Sequence, residues 1–94
     1  MSTMTVPGNS LPCGYQQIPC DTAQPLAPPA NARWALLRAE AQTVRIRDDG
    51  INPTAAVGFP LLTTDDALVY AGNLNGLRVI AATAGGILNV LYYG

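Results

Sequence analysis

The sequence predicts a small all-β protein, an antiparallel β-sandwich or barrel that follows an extended, proline-rich N-terminal arm. Beyond residue 31, short apolar runs are separated by turn-forming residues at intervals of roughly 8–12 residues, which is typical of sandwiches and barrels. Before residue 32 lie six of the eight prolines. The chain has 94 residues, enough for one modest core. We therefore divide it into an arm, residues 1–31, and a β-domain, residues 32–94.

The arm is predicted from its prolines and from the isolation of its apolar residues. Proline fixes φ and lacks a backbone N–H donor, which disfavours both long helices and central strands. Val6, Leu11, Ile18 and Leu26 stand apart from one another and show neither the period of a strand nor that of a helix. We expect this segment to be extended and to become ordered by lying across another surface.

The β-domain is predicted from alternation and from turns. Val44 and Ile46 alternate with polar residues, the pattern of a strand with one buried face. Residues 34–40 fit either a strand or a short helix, since they include good helix formers. The Ala-Gly-Gly sequence at 84–86 predicts a hairpin between the last two strands. In chain order, we predict extended segments at 34–40, 42–47, 54–57, 59–62, 67–70, 77–83 and 87–93.

Composition excludes several kinds of chemistry. The chain contains no histidine, and all five of its cations are arginines. Histidine-based acid–base catalysis, catalytic triads, histidine-ligated metals and lysine Schiff bases are therefore excluded. The net charge of −1 does not indicate nucleic-acid binding, and no apolar run reaches the roughly 20 residues of a membrane span. The N-terminus shows no export signal. We expect a protein without enzymatic activity or cofactor.

Two short features suggest a metal site or a disulfide. Asp48-Asp49-Gly50 resembles the start of a calcium loop, but an EF-hand needs its glycine at the sixth position, so we expect a turn and no metal. Cys13 and Cys20 are a candidate disulfide that would close an eight-residue loop. Synthesis in a cytoplasm favours free thiols at first. The sequence leaves the state of the two cysteines open.

The last two predicted strands point to an interface. A strand with one solvated face alternates apolar and polar residues, whereas 77–83 and 87–93 are almost continuously apolar. We expect their second face to be covered either by another subunit or by the arm. Arg45 and Arg47 share one strand face, where we expect them to pair with carboxylates either of a neighbouring subunit or of their own chain. The predicted partner interface consists of Arg45, Arg47, Arg78, Ile80, Ile87, Leu91 and Tyr93.

Residues 42–94 carry a pattern that resembles small structural proteins of tailed bacteriophages. The pattern comprises Val44-Arg45-Ile46-Arg47-Asp48-Asp49-Gly50, Asn52-Pro53-Thr54-Ala55, Gly58, Tyr70-Ala71-Gly72, Leu77-Arg78-Val79-Ile80, Thr83-Ala84-Gly85 and Leu88-Asn89-Val90-Leu91-Tyr92-Tyr93. The resemblance implies a β-rich accessory or decoration subunit on the virion, made in the host cytoplasm. Its implied partners are the major capsid protein and copies of itself, as a dimer or trimer, with neither nucleic acid nor membrane.

We therefore expect a non-enzymatic virion protein that binds the capsid surface as a decoration or cement subunit and stabilises the head. A structural position in the neck or tail is an alternative. A carbohydrate-binding adhesion module on the particle is an alternative from another class. Its candidate aromatic residues, Trp34, Phe59 and Tyr70, are scattered along the sequence and are more typical of a core than of a sugar platform.

Overall fold

The computed structural model of the protein describes residues 10–94. The first nine residues, where no export signal is expected, lie outside this range. Two antiparallel four-stranded sheets pack together, which confirms the predicted all-β fold and makes it a sandwich. Sheet A contains, in spatial order, β1 (Pro12–Pro19), β8 (Ile87–Tyr93), β3 (Trp34–Glu40) and β6 (Leu68–Tyr70). Sheet B contains β2 (Gln24–Pro25), β7 (Arg78–Ala81), β4 (Val44–Arg47) and β5 (Phe59–Leu61).

The strand order is that of a double-sheet jelly roll. The first strand pairs with the last, β2 with β7, β3 with β6 and β4 with β5, so that the four antiparallel pairs nest inside one another. Two further pairings, β3 with β8 and β4 with β7, join the pairs into two sheets. The chain therefore behaves as one long hairpin, closed by residues 48–58, that is rolled into two layers.

The inward faces of both sheets form a single core. On β8, Leu88, Val90 and Tyr92 are buried, and the residues between them are partly exposed, as the period of a strand requires. Val44 and Val79 contribute fully buried side chains from sheet B. Within residues 10–94, no polar or charged residue is buried. The stability of this domain therefore rests on apolar packing between the two sheets.

The structure differs from the predicted boundary at residue 32. Residues 12–19 form β1, which pairs along β8, and both Ile18 and Leu26 are buried in the core. The prolines do not prevent this, because β1 is an edge strand and Pro12 and Pro19 stand at its two ends, where missing N–H donors cost little. The described part of the proposed arm, residues 10–31, is thus an integral part of the sandwich.

Two local predictions also differ from the structure. Residues 84–86 do not form a hairpin, since β7 lies in sheet B and β8 in sheet A, and the connection between them crosses from one layer to the other. Residues 54–57 form a tight turn in place of a strand, closed by hydrogen bonds between the backbones of Thr54 and Val57. The segment 34–40, for which strand and helix were both open, is the strand β3.

Candidate interaction surfaces

The seven residues predicted as a partner interface lie on opposite sides of the sandwich. Arg45, Arg47, Arg78 and Ile80 are on the outer face of sheet B, because their neighbours along the same strands fill the core. Ile87, Leu91 and Tyr93 are on the outer face of sheet A for the same reason. These residues therefore cannot form one continuous contact surface. Each face must be considered separately.

The outer face of sheet A carries a continuous row of apolar side chains. Tyr15 of β1 is in register with Leu91, Leu91 with Leu36 of β3, and Leu36 with Val69 of β6. The row therefore crosses all four strands. In the adjacent row, Trp34 is in register with Tyr93. We call these residues the apolar band: Tyr15, Trp34, Leu36, Val69, Leu91 and Tyr93.

The apolar band is ordered internally and open at its two ends. The rings of Trp34 and Tyr93 stack in parallel with centroids 4.4 Å apart, and the indole N–H of Trp34 donates a hydrogen bond to Ser10 Oγ. Tyr15 and Val69, at the ends of the four-residue row, are 58% and 43% exposed, whereas Leu36 between them is only 3% exposed. The band is thus a rigid apolar surface that keeps part of its area in solvent.

Polar side chains occupy most of the rest of this face. The hydroxyl of Tyr15 donates to Asn89 Oδ1, and Asn89 Nδ2 donates to Glu40 Oε1 at 2.9 Å. Gln17 Nε2 is 3.5 Å from the same carboxylate oxygen. Ile87 lies at this polar end and not in the band, since its neighbour in β3 is Glu40. The face therefore combines an apolar patch with a polar border.

On the outer face of sheet B, arginines are held by groups of their own chain. Arg45 donates from Nε to the carbonyl of Ala55 and from Nη1 to that of Gly58, both at 3.0 Å. Arg47 makes a two-bond ion pair with Asp49, which raises the pKa of the arginine and lowers that of the carboxyl group. This pair is exposed and contributes little to stability.

Both cysteines are free thiols. They are seven residues apart, since Cys13 lies in β1 and Cys20 directly follows it, and a strand rises about 3.3 Å per residue. Their Cα atoms are therefore separated by about 23 Å, whereas a disulfide requires less than about 7 Å. A Cys13–Cys20 bridge within one folded chain is incompatible with this structure. Burial raises the pKa of the Cys20 thiol to about 11, which makes it unreactive.

A cleft opens between the sheets at the edge formed by β5 and β6. Its volume is about 440 Å³. The cleft brings together Phe59 and Tyr70, two of the aromatic residues that the sequence scatters, whereas Trp34 belongs to the outer face of sheet A. The acidic turn after β4 lies at the rim of this cleft. No cluster of metal-ligating side chains is found in residues 10–94.

Of the apolar band, Leu91 and Tyr93 are among the residues that the sequence predicts at an interface, and the other four are not. Tyr15 fell within the predicted arm, and the placement of Leu36 and Val69 beside Leu91 depends on strand pairings that no local pattern encodes. No helix of residues 10–94 is long and apolar enough to cross a membrane. Comparison of the chain with protein-family models, with curated proteins and with solved structures gave no match.

Proposed function

We propose that this protein is a non-enzymatic structural subunit of a tailed-phage virion, which docks on the capsid surface through the apolar band. The observation that carries this proposal is the row from Tyr15 to Val69, which spans every strand of sheet A and is exposed at its two ends. An exposed apolar patch with a polar border is the usual composition of a protein interface.

The edges of the sheets favour docking through a face. β2, β5 and β6 have only two or three residues each, and β1 carries a proline at either end. Short strands and prolines discourage the addition of a further strand to a sheet edge. A partner therefore gains more from covering the band than from extending either sheet.

Two further considerations support a virion as the assembly. Jelly rolls occur in viral capsid domains and in lectins, and by analogy with the capsid domains the fold favours a virion. The resemblance of residues 42–94 to small phage structural proteins points the same way. The proposed partners are the major capsid protein and further copies of this chain. Many copies on a symmetric shell add their contacts through avidity.

The carbohydrate alternative receives less support. A sugar platform needs an aromatic ring with a free face, and Trp34 is only 6% exposed because it stacks against Tyr93. Phe59 and Tyr70 do meet in the cleft, but Ile46, Leu68 and Leu77 give that cleft aliphatic walls. Such walls suit an apolar group better than a hydroxylated ring.

The decisive experiment is a count of copies in purified particles of the phage that encodes the chain, with heads separated from tails. We expect many copies per head, and heads that lack the protein should break at a lower temperature. A few copies on the tail or neck fraction would overturn the capsid assignment in favour of the neck or tail. Absence from the particle would overturn the proposal as a whole.

A pair of variants tests the docking surface itself. Val69→Lys places a charge in the exposed end of the apolar band, and we expect binding to stripped heads to weaken about tenfold or more. Ile51→Lys is the matched control, because Ile51 is 55% exposed and lies in the loop after β4, outside the band. Equal binding by the two variants would show that the band is not the contact surface.

A further inference from the structure

We propose that the cleft between β5 and β6 is a second docking site, which takes an apolar side chain next to a basic residue in an extended segment of a partner protein. This inference does not depend on the apolar band or on the identity of the assembly. It rests on the shape of the cleft, on its aliphatic walls and on the charge at its rim.

The cleft is an unfilled part of the space between the sheets. Phe59 is in register with Ile46, whose side chain is buried, so Phe59 also faces inward, yet it is 62% exposed. Across the gap, Leu68 and Tyr70 face inward from β6, as their register partners Leu37 and Ala35 do. A volume of about 440 Å³ lies within the range of ordinary ligand sites.

One wall of the cleft is held in place before any partner arrives. Thr54 Oγ1 accepts hydrogen bonds from the backbone N–H groups of Ala56 and Val57, and Arg45 binds the carbonyls on either side of Val57, those of Ala55 and Gly58. These bonds fix the turn that presents Val57 to the cleft. A preformed wall lowers the entropy cost of binding.

Gly58 is needed where this turn enters β5. Its φ of +150° is one that side chains rarely adopt, and a Cβ atom there would lie 3.0 Å from the Cβ atoms of both Arg45 and Pro53. Any larger residue would therefore push the turn away from β4. The backbone at the mouth of the cleft is built for close packing, not for free movement.

The rim of the cleft carries an excess of negative charge. Its charged lining residues are Arg47, Asp48 and Asp49, and the guanidinium of Arg47 is already bound to the carboxylate of Asp49. Asp48 Oδ2 accepts a hydrogen bond from the hydroxyl of Tyr70 at 2.7 Å, a neutral donor that leaves the carboxylate charge in place. Asp48 is exposed and available to a cation that approaches from solvent.

Apolar walls and an acidic rim select the occupant. A leucine-sized side chain would fill space between Phe59 and Leu68, while a neighbouring arginine or lysine would reach Asp48. An acidic neighbour would be repelled by Asp48, the rim carboxylate whose charge no cation of the lining compensates. The complementary partner is therefore a segment that presents one apolar and one basic side chain.

The probes are four capped dipeptides: acetyl-Leu-Arg-amide, acetyl-Leu-Gln-amide, acetyl-Leu-Glu-amide and acetyl-Ala-Arg-amide. Binding to the full chain is followed by NMR shifts of the backbone amides of Gly58 and Leu68. We expect weak, saturable binding of the first probe. Exchange of arginine for glutamine should weaken it by up to about fivefold. Exchange of leucine for alanine should weaken it by about tenfold or more, because about fourfold is lost for each buried methylene.

Two variants separate the contributions of the walls and the rim. Phe59→Ser should weaken binding of the leucine probes by about tenfold or more. Because Phe59 is exposed, this variant should keep its fold. Asp48→Asn should abolish the difference between the arginine and glutamine probes. Asp66→Asn is the matched control, since that exposed carboxylate does not line the cleft, and it should change nothing.

Three results would overturn the inference. They are equal binding of the arginine and glutamate probes, shifts confined to the apolar band, and no saturable shift in the cleft of a chain whose spectrum is that of the folded protein. None of them bears on the proposed function, because head binding is tested on residues of the band. Conversely, loss of head binding in the Val69→Lys variant leaves the dipeptide result unchanged.

Discussion

The two lateral edges of the sandwich differ in whether the gap between the sheets is covered. At one edge lie β1 and β2, and at the other lie β5 and β6. Each edge leaves a gap between two sheets through which the core meets solvent. The first edge is closed by the chain itself, whereas the second remains open as the cleft.

Residues 26–29 close the first edge with both apolar and polar contacts. Leu26 is buried in the core, and Pro29 Cγ lies 3.1 Å from the position of a Cβ atom on Gly14. Gln16 Oε1 accepts hydrogen bonds from the hydroxyl of Tyr92 and from the backbone N–H of Ala27. Because proline-rich chain is already extended, it covers an edge at a low entropy cost.

The open edge has no such cover among residues 10–94, and its aromatic residue stays in solvent. Phe59 faces inward but is mostly exposed, while the loop 48–58 is tied back onto β4 by Arg45. The proline-rich segment thus covers one edge of the sandwich, and the other edge remains open. A closed edge is expected to serve stability, and an open one is expected to serve binding.

The largest effect should follow from removal of the closed edge. A chain that begins at Ala32 lacks β1, β2 and the buried residues Ile18 and Leu26, so we expect it not to fold. The reason is that β8 loses its entire ladder with β1, and the core is opened along one side. Circular dichroism and NMR dispersion would report the loss. A cooperatively folded product would restore the domain boundary predicted at residue 32.

A single substitution at the closed edge should lower the free energy of unfolding more than a matched substitution at the open edge. Leu26→Ala removes a buried side chain at the closed edge, and we expect the free energy of unfolding to fall by about 2–4 kcal/mol. Phe59→Ala, the matched change at the open edge, should lower it by less than about 1 kcal/mol because that ring is mostly exposed. Denaturant titration measures both. Equal losses would show that the cleft residues are part of the core.

Individual strands are easier to predict from the sequence than the way in which each edge of the sandwich is covered. Alternation around Val44 correctly predicts β4. The apolar residues on both faces of 87–93 predict an apolar outer surface that includes Leu91 and Tyr93. What failed was the inference from prolines to an arm. Proline excludes a central strand but not an edge strand, and only the pairing of β1 with β8 shows which applies.

The cleft was beyond sequence reasoning for a related reason. Phe59 and Tyr70 belong to different sheets, and they meet because the nested strand pairs place β5 and β6 at the same edge. That placement is a property of the whole topology and has no local signature. Likewise, Asp48 looked like part of a turn, and only the position of Tyr70 makes it the rim of a cleft.

Cysteine labelling gives a probe of the closed edge. Cys20 follows β1 and is fully buried, and burial raises its pKa to about 11 from an ordinary value of 9.0, so thiolate is scarce at neutral pH. Cys13 is only partly buried. We expect iodoacetamide to modify Cys13 first and to reach Cys20 only on unfolding, as read by mass spectrometry of peptides. In Leu26→Ala, modification of Cys20 should accelerate tenfold for about every 1.4 kcal/mol of unfolding free energy that is lost.

The smallest expected effect lies at the open edge and concerns Tyr70. Burial, and then the hydrogen bond to Asp48 and its negative charge, raise the pKa of this phenol from 10.0 to about 12. The unfolded chain therefore loses the proton first, and the contribution of Tyr70 to stability, complete below pH 10, should decline as the pH rises towards 12.

Asp48→Asn removes the charge and leaves the burial, so we expect the Tyr70 titration to move only part of the way back towards 10. Tyrosinate absorbance, with Tyr70→Phe subtracted to isolate this residue, measures the shift. An unchanged titration in Asp48→Asn would mean that burial alone holds the proton. Asp48 would then be too well solvated to attract a cation to the rim. The same carboxylate is proposed to bind a basic residue of a partner. The titration of Tyr70 therefore tests whether the charge of Asp48 is strong enough for that role.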